Sequence, residues 1–211
     1  MLLRTISVCS ETRPCHGART GLGQVIDQPM NKECILVDPS RKRRQEFLAA
    51  VRRSRKLHGR WASPPATIEK FDEYLKCLRK EAHLSYWVCT ERGELAGVIN
   101  LNEIVRGLFC SAYLGYYAFA PFDGRGYMKK GLRAVLSEAF GRQRLHRLEA
   151  NIQPDNEPSR RLVQNVGFRL EGFSPRYLKI AGRWRDHERW AITAEEWRRY
   201  QAGGGKRTNL T

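Results

Sequence analysis

The sequence predicts a mixed α/β fold: a central, mostly antiparallel sheet flanked by helices in a single domain. Three observations carry this. Two stretches of helical periodicity, residues 44–57 and 67–80, precede three strand-like runs that end near residue 120. A strand, turn, helix and strand follow one another from residue 111 to 153, the order of a parallel crossover unit. Two further strands joined at Gly182 make an antiparallel pair at the far end. A chain of 211 residues, 41% hydrophobic and 10% aromatic, is long and apolar enough to bury one such core.

Residues 1–33 mix Gly, Thr, Arg and Cys without sustained periodicity and read as an N-terminal extension. The domain, residues 34–197, begins at "ECILVDPS" with a short strand and a turn. "RQEFLAAVRRSRKL" spaces Phe47, Leu48, Val51 and Leu57 for one helical face, and "TIEKFDEYLKCLRK" does the same with Ile68, Phe71, Leu75 and Leu78. Thr67 is the expected N-cap of the second helix, and "HGRWASPP" is the loop between the two. The strands are "LSYWVCT", "ELAGVINLNEIV" and "SAYLGYYAFA", with residues 91–94 turning the first hairpin. A helix from about Tyr127 to Arg142 puts Leu132, Val135, Leu136 and Ala139 on one face. The strand "LHRLEANIQ" leads into a shorter helix from Glu157, after which Gly167 occupies a helix-ending position. "RLEGFSPRYLKIA" and "RDHERWAITA" are the last strands, and residues 198–211 form a basic, Gly-rich tail. No internal repeat is present.

Lys and Arg number 38 against 22 Asp and Glu, a formal charge of +16 that favours polyanions such as RNA, ribosomes, acidic membranes or a phosphorylated cofactor. The basic runs at residues 41–44 and 52–56 have no interleaved aromatics for base stacking and read as solvated helix faces. Cysteines at 9, 15, 34, 77, 89 and 110 have neither zinc-site spacing nor the density of a disulfide scaffold, so reduced intracellular thiols and no metal are expected. No apolar run nears the roughly 18 residues that span a bilayer, and no secretory core with a cleavage site opens the chain. The expectation is a cytoplasmic protein without a membrane partner.

The stretch "FDGRGYMKKG" carries the chemistry. A strand that ends in a turn containing Gly124 and Gly126 and then becomes a helix aims unpaired backbone N–H groups and a positive helix end at one point. Arg125, Lys129 and Lys130 add charge nearby. Alone, the pattern is an ordinary tight turn as readily as an anion site. It contains no phosphate-loop motif, and position 129, where a dinucleotide fingerprint would put a third glycine, is lysine, so ATP and NAD are disfavoured.

"GYYAFAPFDGRGYMKKGL" followed by "NIQPDNEPSRRLVQNVGFRLEG" resembles the signature of the GCN5-related N-acetyltransferases, abbreviated GNAT. "YLKIAGRWRDHERWAIT" and "IVRGLFCSAYLGYY" narrow the resemblance to the RimJ-like ribosomal-protein alanine N-acetyltransferases, over roughly residues 34–197. The resemblance implies the GNAT fold, acetyl-CoA as cosubstrate and direct attack of an amine on the thioester. The implied acceptor is a protein N-terminus, Ala or Ser of a ribosomal protein or of the ribosome, with a weak electrostatic RNA contact. A monomer or homodimer is expected. Two alternatives stay open: an acetyltransferase for a polyamine or antibiotic amine, and a ribosome- or RNA-binding protein of this fold with little catalysis.

The resemblance also implies site residues. Tyr116, Tyr117 and Ala118 would present main chain to the cofactor, Asn156 would hold its chain, and the turn Asp123, Gly124, Arg125, Gly126, Tyr127, Met128 would bind its pyrophosphate through backbone N–H groups. The family opens this turn with Gln or Arg; a carboxylate facing a pyrophosphate is repelled, so Asp123 is expected to point away, toward a basic neighbour. The family's acid tyrosine is replaced by Val163, leaving Ser159 as either proton donor to the thiolate or an early-helix cap. Glu103 is the candidate base, against a reading as an exposed strand-end acid. Glu149 reads as a structural acid paired to an arginine. A dyad of Asp186 and His187 is set aside because adjacent strand residues face opposite sides. Trp61, Tyr177 and Trp184 either border the acceptor or belong to the packing.

Overall fold

The computed structural model describes residues 34–204. Seven strands form one sheet: β1 (Cys34–Val37), β2 (Leu84–Thr90), β3 (Leu95–Val105), β4 (Ser111–Ala118), β5 (Arg147–Ile152), β6 (Arg169–Ile180) and β7 (Arg183–Thr193), in the order β1-β2-β3-β4-β5-β7-β6. Every neighbouring pair is antiparallel except β4 and β5. The mixed, mostly antiparallel sheet predicted from sequence is therefore the one observed.

The parallel pair positions the site. β4 and β5 pair at only three positions, Ser111 with Arg147, Ala112 with Leu148 and Tyr113 with Glu149, and then part. The crossover between them is α4 (Tyr127–Phe140), whose Leu132, Val135, Leu136 and Ala139 enter the larger core as their spacing predicts. Gly131 lets α4 sit against β2, since a Cβ there would meet Val88 Cγ2 at 2.6 Å. On the other face α1 (Arg44–Arg53) and α3 (Ile68–Cys77) bury a second cluster in which Phe47 stacks on Trp87 with ring centroids 5.3 Å apart. Strand alternation assigns each site residue to a face. Leu114, Ala150, Ile152 and Trp190 join the α4 core, so Gly115, Tyr117, Asn151 and His187 lie toward the opposite face.

The structure differs from the sequence reading at three places. The first helix breaks at Ser54, and a short α2 (Arg55–His58) follows. Ser54 is buried and its hydroxyl accepts the Ala120 N–H at 2.9 Å, a tertiary contact that outweighs helix continuity. Leu57 is thereby left exposed. In α3, capped by Thr67 as expected, Ile68 is exposed and Tyr74 packs inward against Phe47 instead. Finally, the expected boundary at residue 197 falls inside α6 (Ala194–Ala202), where Trp197 and Tyr200 are buried. Thr193 and Glu196 form its capping box. α5 (Glu157–Gln164) follows the parting of β5 from β4. The N-terminal extension and the last seven residues of the tail lie outside the described residues.

Candidate active site

Where β4 and β5 part, a cavity of about 630 Å³ opens. It is lined by the ends of both strands, the glycine turn, the start of α5, the α2 region and the β6–β7 hairpin. Of the residues predicted for the site, Tyr116, Tyr117, Ala118, Asp123, Gly124, Gly126, Met128, Asn156, Ser159 and Trp61 all line it.

The turn is built by backbone conformation. Gly124 has φ +69° and Gly126 has φ +87°, left-handed values that cost side-chain-bearing residues roughly 1–2 kcal/mol. Neither glycine is crowded, since an added Cβ would meet nothing within 4 Å. Gly126 is also the N-cap of α4, and no side chain caps that end, so the first turn of the helix presents its N–H groups toward the cavity mouth. Met128 follows as an anchor. Its sulfur occupies the space that Gly97 of β3 leaves, where a Cβ would lie 2.3 Å away. Tyr127 is buried in the core with its ring edge-on to Phe122, and Arg125 is exposed; neither side chain lines the cavity.

The basic neighbour expected to hold Asp123 is not found among the described residues. Asp123 lines the cavity and has no ion-pair partner among the described residues, because the turn that exposes residues 123–126 leaves no arginine or lysine against it. Among the described lining residues it is also the only Asp or Glu, and no cysteine joins it.

α5 and β4 together supply a hydroxyl pair. Asn156 is the N-cap and accepts the Ser159 N–H at 3.3 Å, so the capping role belongs to Asn156 and the Ser159 side chain is available for other contacts. Ser159 Oγ lies 2.5 Å from the Tyr116 hydroxyl, and burial pushes that phenol above its ordinary pKa. Val163, at the position where the resemblance leads one to expect a tyrosine, is wholly buried in the core. Tyr116, expected to contribute main chain, also brings its side chain to the same neighbourhood from β4.

The segment that leads from β4 into the turn is held from α1 and α2. His58 Nε2 donates to the Ala118 carbonyl at 2.8 Å, Ser54 accepts the Ala120 N–H, and Arg53 Nε donates to the Ala120 carbonyl at 2.6 Å. His58 is buried between Tyr117 and Phe119, and burial lowers its pKa, keeping the imidazole neutral. Trp61 lies beside it at the cavity wall, covered by the Arg60 guanidinium 4.4 Å from its ring centroid; Arg60 is paired with Asp155.

The hairpin wall consists of Leu178, Ile180 and His187 instead of the predicted Tyr177 and Trp184. Tyr177 sits behind that wall, edge-on to His187 at 6.3 Å, because β6 bulges between Ser174 and Leu178. Asp186 holds the bulge by accepting the Arg176 N–H at 2.7 Å. Trp184 is exposed at 61% and borders a separate smaller cleft with Arg60, Asp155 and Asp186. Glu103 does not line the cavity either: it is exposed, at φ +49° in the bulge of β3 near the paired end of β4. Glu149 is ion-paired to Arg147 at 2.9 Å, in a network that also ties Arg147 and Arg169 to Glu171.

A sheet whose two parallel strands part over an uncapped, glycine-built helix end is the arrangement of an acyl-CoA-binding transferase, and the sequence model of the "Acetyltransferase (GNAT) domain" matches residues 34–169. The chain belongs to the GNAT acetyltransferase family. Among curated relatives it is 39% identical over 104 residues to the "[Ribosomal protein uS5]-alanine N-acetyltransferase" of Escherichia coli, covering 49% of this chain and 54% of that one. It thus spans about half the length of that relative. It is 34% identical over 125 residues to the "Probable N-acetyltransferase YjcK" of Bacillus subtilis, covering 59% of this chain and 69% of the other. Among solved structures, Mycobacterium smegmatis RimJ in complex with CoA-disulfide superposes with a TM-score of 0.72 at 28% identity, covering 81% of this chain and 89% of that one. A spermidine N-acetyltransferase from Vibrio cholerae, solved with CoA and spermine, shares the fold at a TM-score of 0.67 and 21% identity, over 78% of this chain and 97% of the other.

Proposed function

We propose that this chain transfers the acetyl group of acetyl-CoA to the free α-amine of a protein N-terminus, Ala or Ser of a ribosomal protein. One observation carries the choice of acceptor. Among the described residues the cavity has a single carboxylate, Asp123, and it sits on the turn, while the α2 region and the hairpin contribute Trp61, His58, Leu178, Ile180 and His187. Polyamines and aminoglycosides are polycations and would be recognised by several acidic groups; a lone amine on a peptide needs none. An α-amine also titrates about 2.5 units below a lysine side chain, so a useful neutral fraction exists at neutral pH without a strongly shifted base. The name of the E. coli relative supports the same acceptor.

The residues present fit acetyl-CoA. The gap between β4 and β5 would take the pantetheine arm beside Asn156, and the N–H groups of residues 124–128 would take the pyrophosphate, with Arg125 adding charge from the side. When bound, acetyl-CoA supplies the thioester carbonyl that the amine attacks. Ser159 would give its hydroxyl proton to the leaving sulfur while Tyr116, kept protonated by burial, donates to Ser159 from behind. Main-chain N–H at the parted end of β4, steadied by His58 through the Ala118 carbonyl, would face the carbonyl oxygen. The excess positive charge of +16 would favour encounter with ribosomal RNA, a salt-sensitive contribution.

The test is thiol release from acetyl-CoA with peptides beginning Ala, Ser, Met or Asp, beside spermidine and an N-blocked peptide with an internal lysine. Turnover confined to free Ala or Ser N-termini is the expected result. Turnover of spermidine alone replaces this reading with a small-amine one, and calorimetry showing no acetyl-CoA binding at high micromolar concentration defeats both.

A further inference from the structure

We propose that His187 is the catalytic residue that takes the proton from the attacking amine, which approaches from the face of the sheet opposite Tyr116 and Ser159. This rests on the acetyl-transfer reading of the cavity. His187 lies in β7, is buried at 3% exposure and lines the cavity wall. Its Nδ1 is 2.9 Å from the Arg185 carbonyl oxygen, which can only accept. Nδ1 therefore carries the hydrogen, and in the neutral ring the lone pair is on Nε2.

The groups around His187 keep it a base. Tyr177 is the titratable residue packed on it from β6, and its cross-strand partner there is Ser174. On its own strand Asp186 alternates to the other side, where it is engaged by the Arg176 N–H. Burial outweighs the attraction of Asp186 and holds the imidazole below its ordinary pKa, in the uncharged form at neutral pH. The other candidates are worse placed. Glu103 is outside the cavity, Asp123 is on the turn, and His58 spends Nε2–H on Ala118 between two aromatic rings.

Placement across the sheet divides the labour. Tyr116 packs with the α4 core and bonds Ser159, whereas His187 belongs by strand alternation to the opposite face. The two faces communicate where β4 and β5 have parted. The amine nitrogen bonds the carbonyl carbon and the carbon–sulfur bond breaks. The surplus proton on nitrogen passes to His187 Nε2, and sulfur takes the Ser159 hydroxyl proton. Tyr116 and then solvent restore the serine, and His187 returns its proton to solvent, leaving amide and free thiol.

His187→Asn retains an N–H donor near the Nδ1 position and removes the base. The expected result is a fall in kcat of about 10²–10³-fold for the amine that the unsubstituted protein uses, with acetyl-CoA affinity by calorimetry unchanged. In His187→Gly, added imidazole restores part of the rate. A rate within threefold of the unsubstituted protein would overturn the proposal. So would imidazole nitrogen NMR of the unsubstituted protein showing an Nε2–H tautomer or a charged His187 ring at pH 7.5. The NMR result needs no turnover, so it stands apart from failure of the peptide panel, which would count against the acceptor reading instead.

Discussion

The two halves of the cavity are built on opposite principles. At the β4–α4 turn the working groups are main-chain N–H, the Tyr127 and Arg125 side chains stay off the cavity, and residues 123–126 are exposed. At α5, the β6–β7 hairpin and the Tyr116 position of β4 the working groups are side chains, Ser159, His187 and Tyr116, fixed by hydrogen bonds and burial. A main-chain site tolerates changes of side-chain chemistry but not of backbone conformation. A side-chain site fails when a single oxygen or nitrogen is removed, although the fold survives.

The largest expected effect is therefore on the side-chain half. Ser159→Ala should lower kcat by about 10²–10³-fold with acetyl-CoA affinity unmoved, and Tyr116→Phe should cost about tenfold, both read in the thiol-release assay. Equal losses in affinity and rate would show instead that Ser159 is only a binding contact. Next comes the strap that joins the halves. Ser54→Ala leaves the Ala120 N–H without its acceptor in a buried place and should cost about 1–3 kcal/mol of stability in urea denaturation. Gly126→Val forces a β-branched residue to φ +87° and should weaken acetyl-CoA binding on the order of tenfold. Arg125→Ala, which alters charge but not conformation, should weaken binding by up to about fivefold, since an exposed charge pair contributes about 0.2–1 kcal/mol. If Arg125→Ala hurts more than Gly126→Val, the turn binds by charge and the comparison breaks down. The smallest effect has the opposite sign: Asp123→Asn removes a like charge beside the pyrophosphate site and should tighten binding about two- to fourfold, most at low salt.

The same division explains what could be read from the sequence. The turn and the start of α5 are contiguous segments, and main-chain chemistry depends only on local residue types, so Gly124, Gly126 and Asn156 were legible along with the order of strands and helices. Ser54 and His58 act on residues 66 and 60 positions away, and a serine within a helical pattern carries no mark of that contact. Gly97 looks like any strand glycine until Met128 is seen to occupy its space. Strand alternation was enough to separate Asp186 from His187, but it does not say which of two adjacent residues meets a cavity. The β6 bulge, which shifts Tyr177 behind the wall, has no sequence signature beyond Pro175. α6 does carry a local signal, since Thr193 and Glu196 have the spacing of a capping box.

The three hydrogen bonds from α1 and α2 to residues 118–120 have a thermodynamic consequence. They fasten the wall that carries Trp61 to the strand end that feeds the glycine turn, so whichever substrate arrives first immobilises part of what the second must order. Affinities for acceptor peptide and acetyl-CoA should then rise together, each raising the other by one and the same factor, and loosening the strap at Ser54 should shrink that factor toward unity.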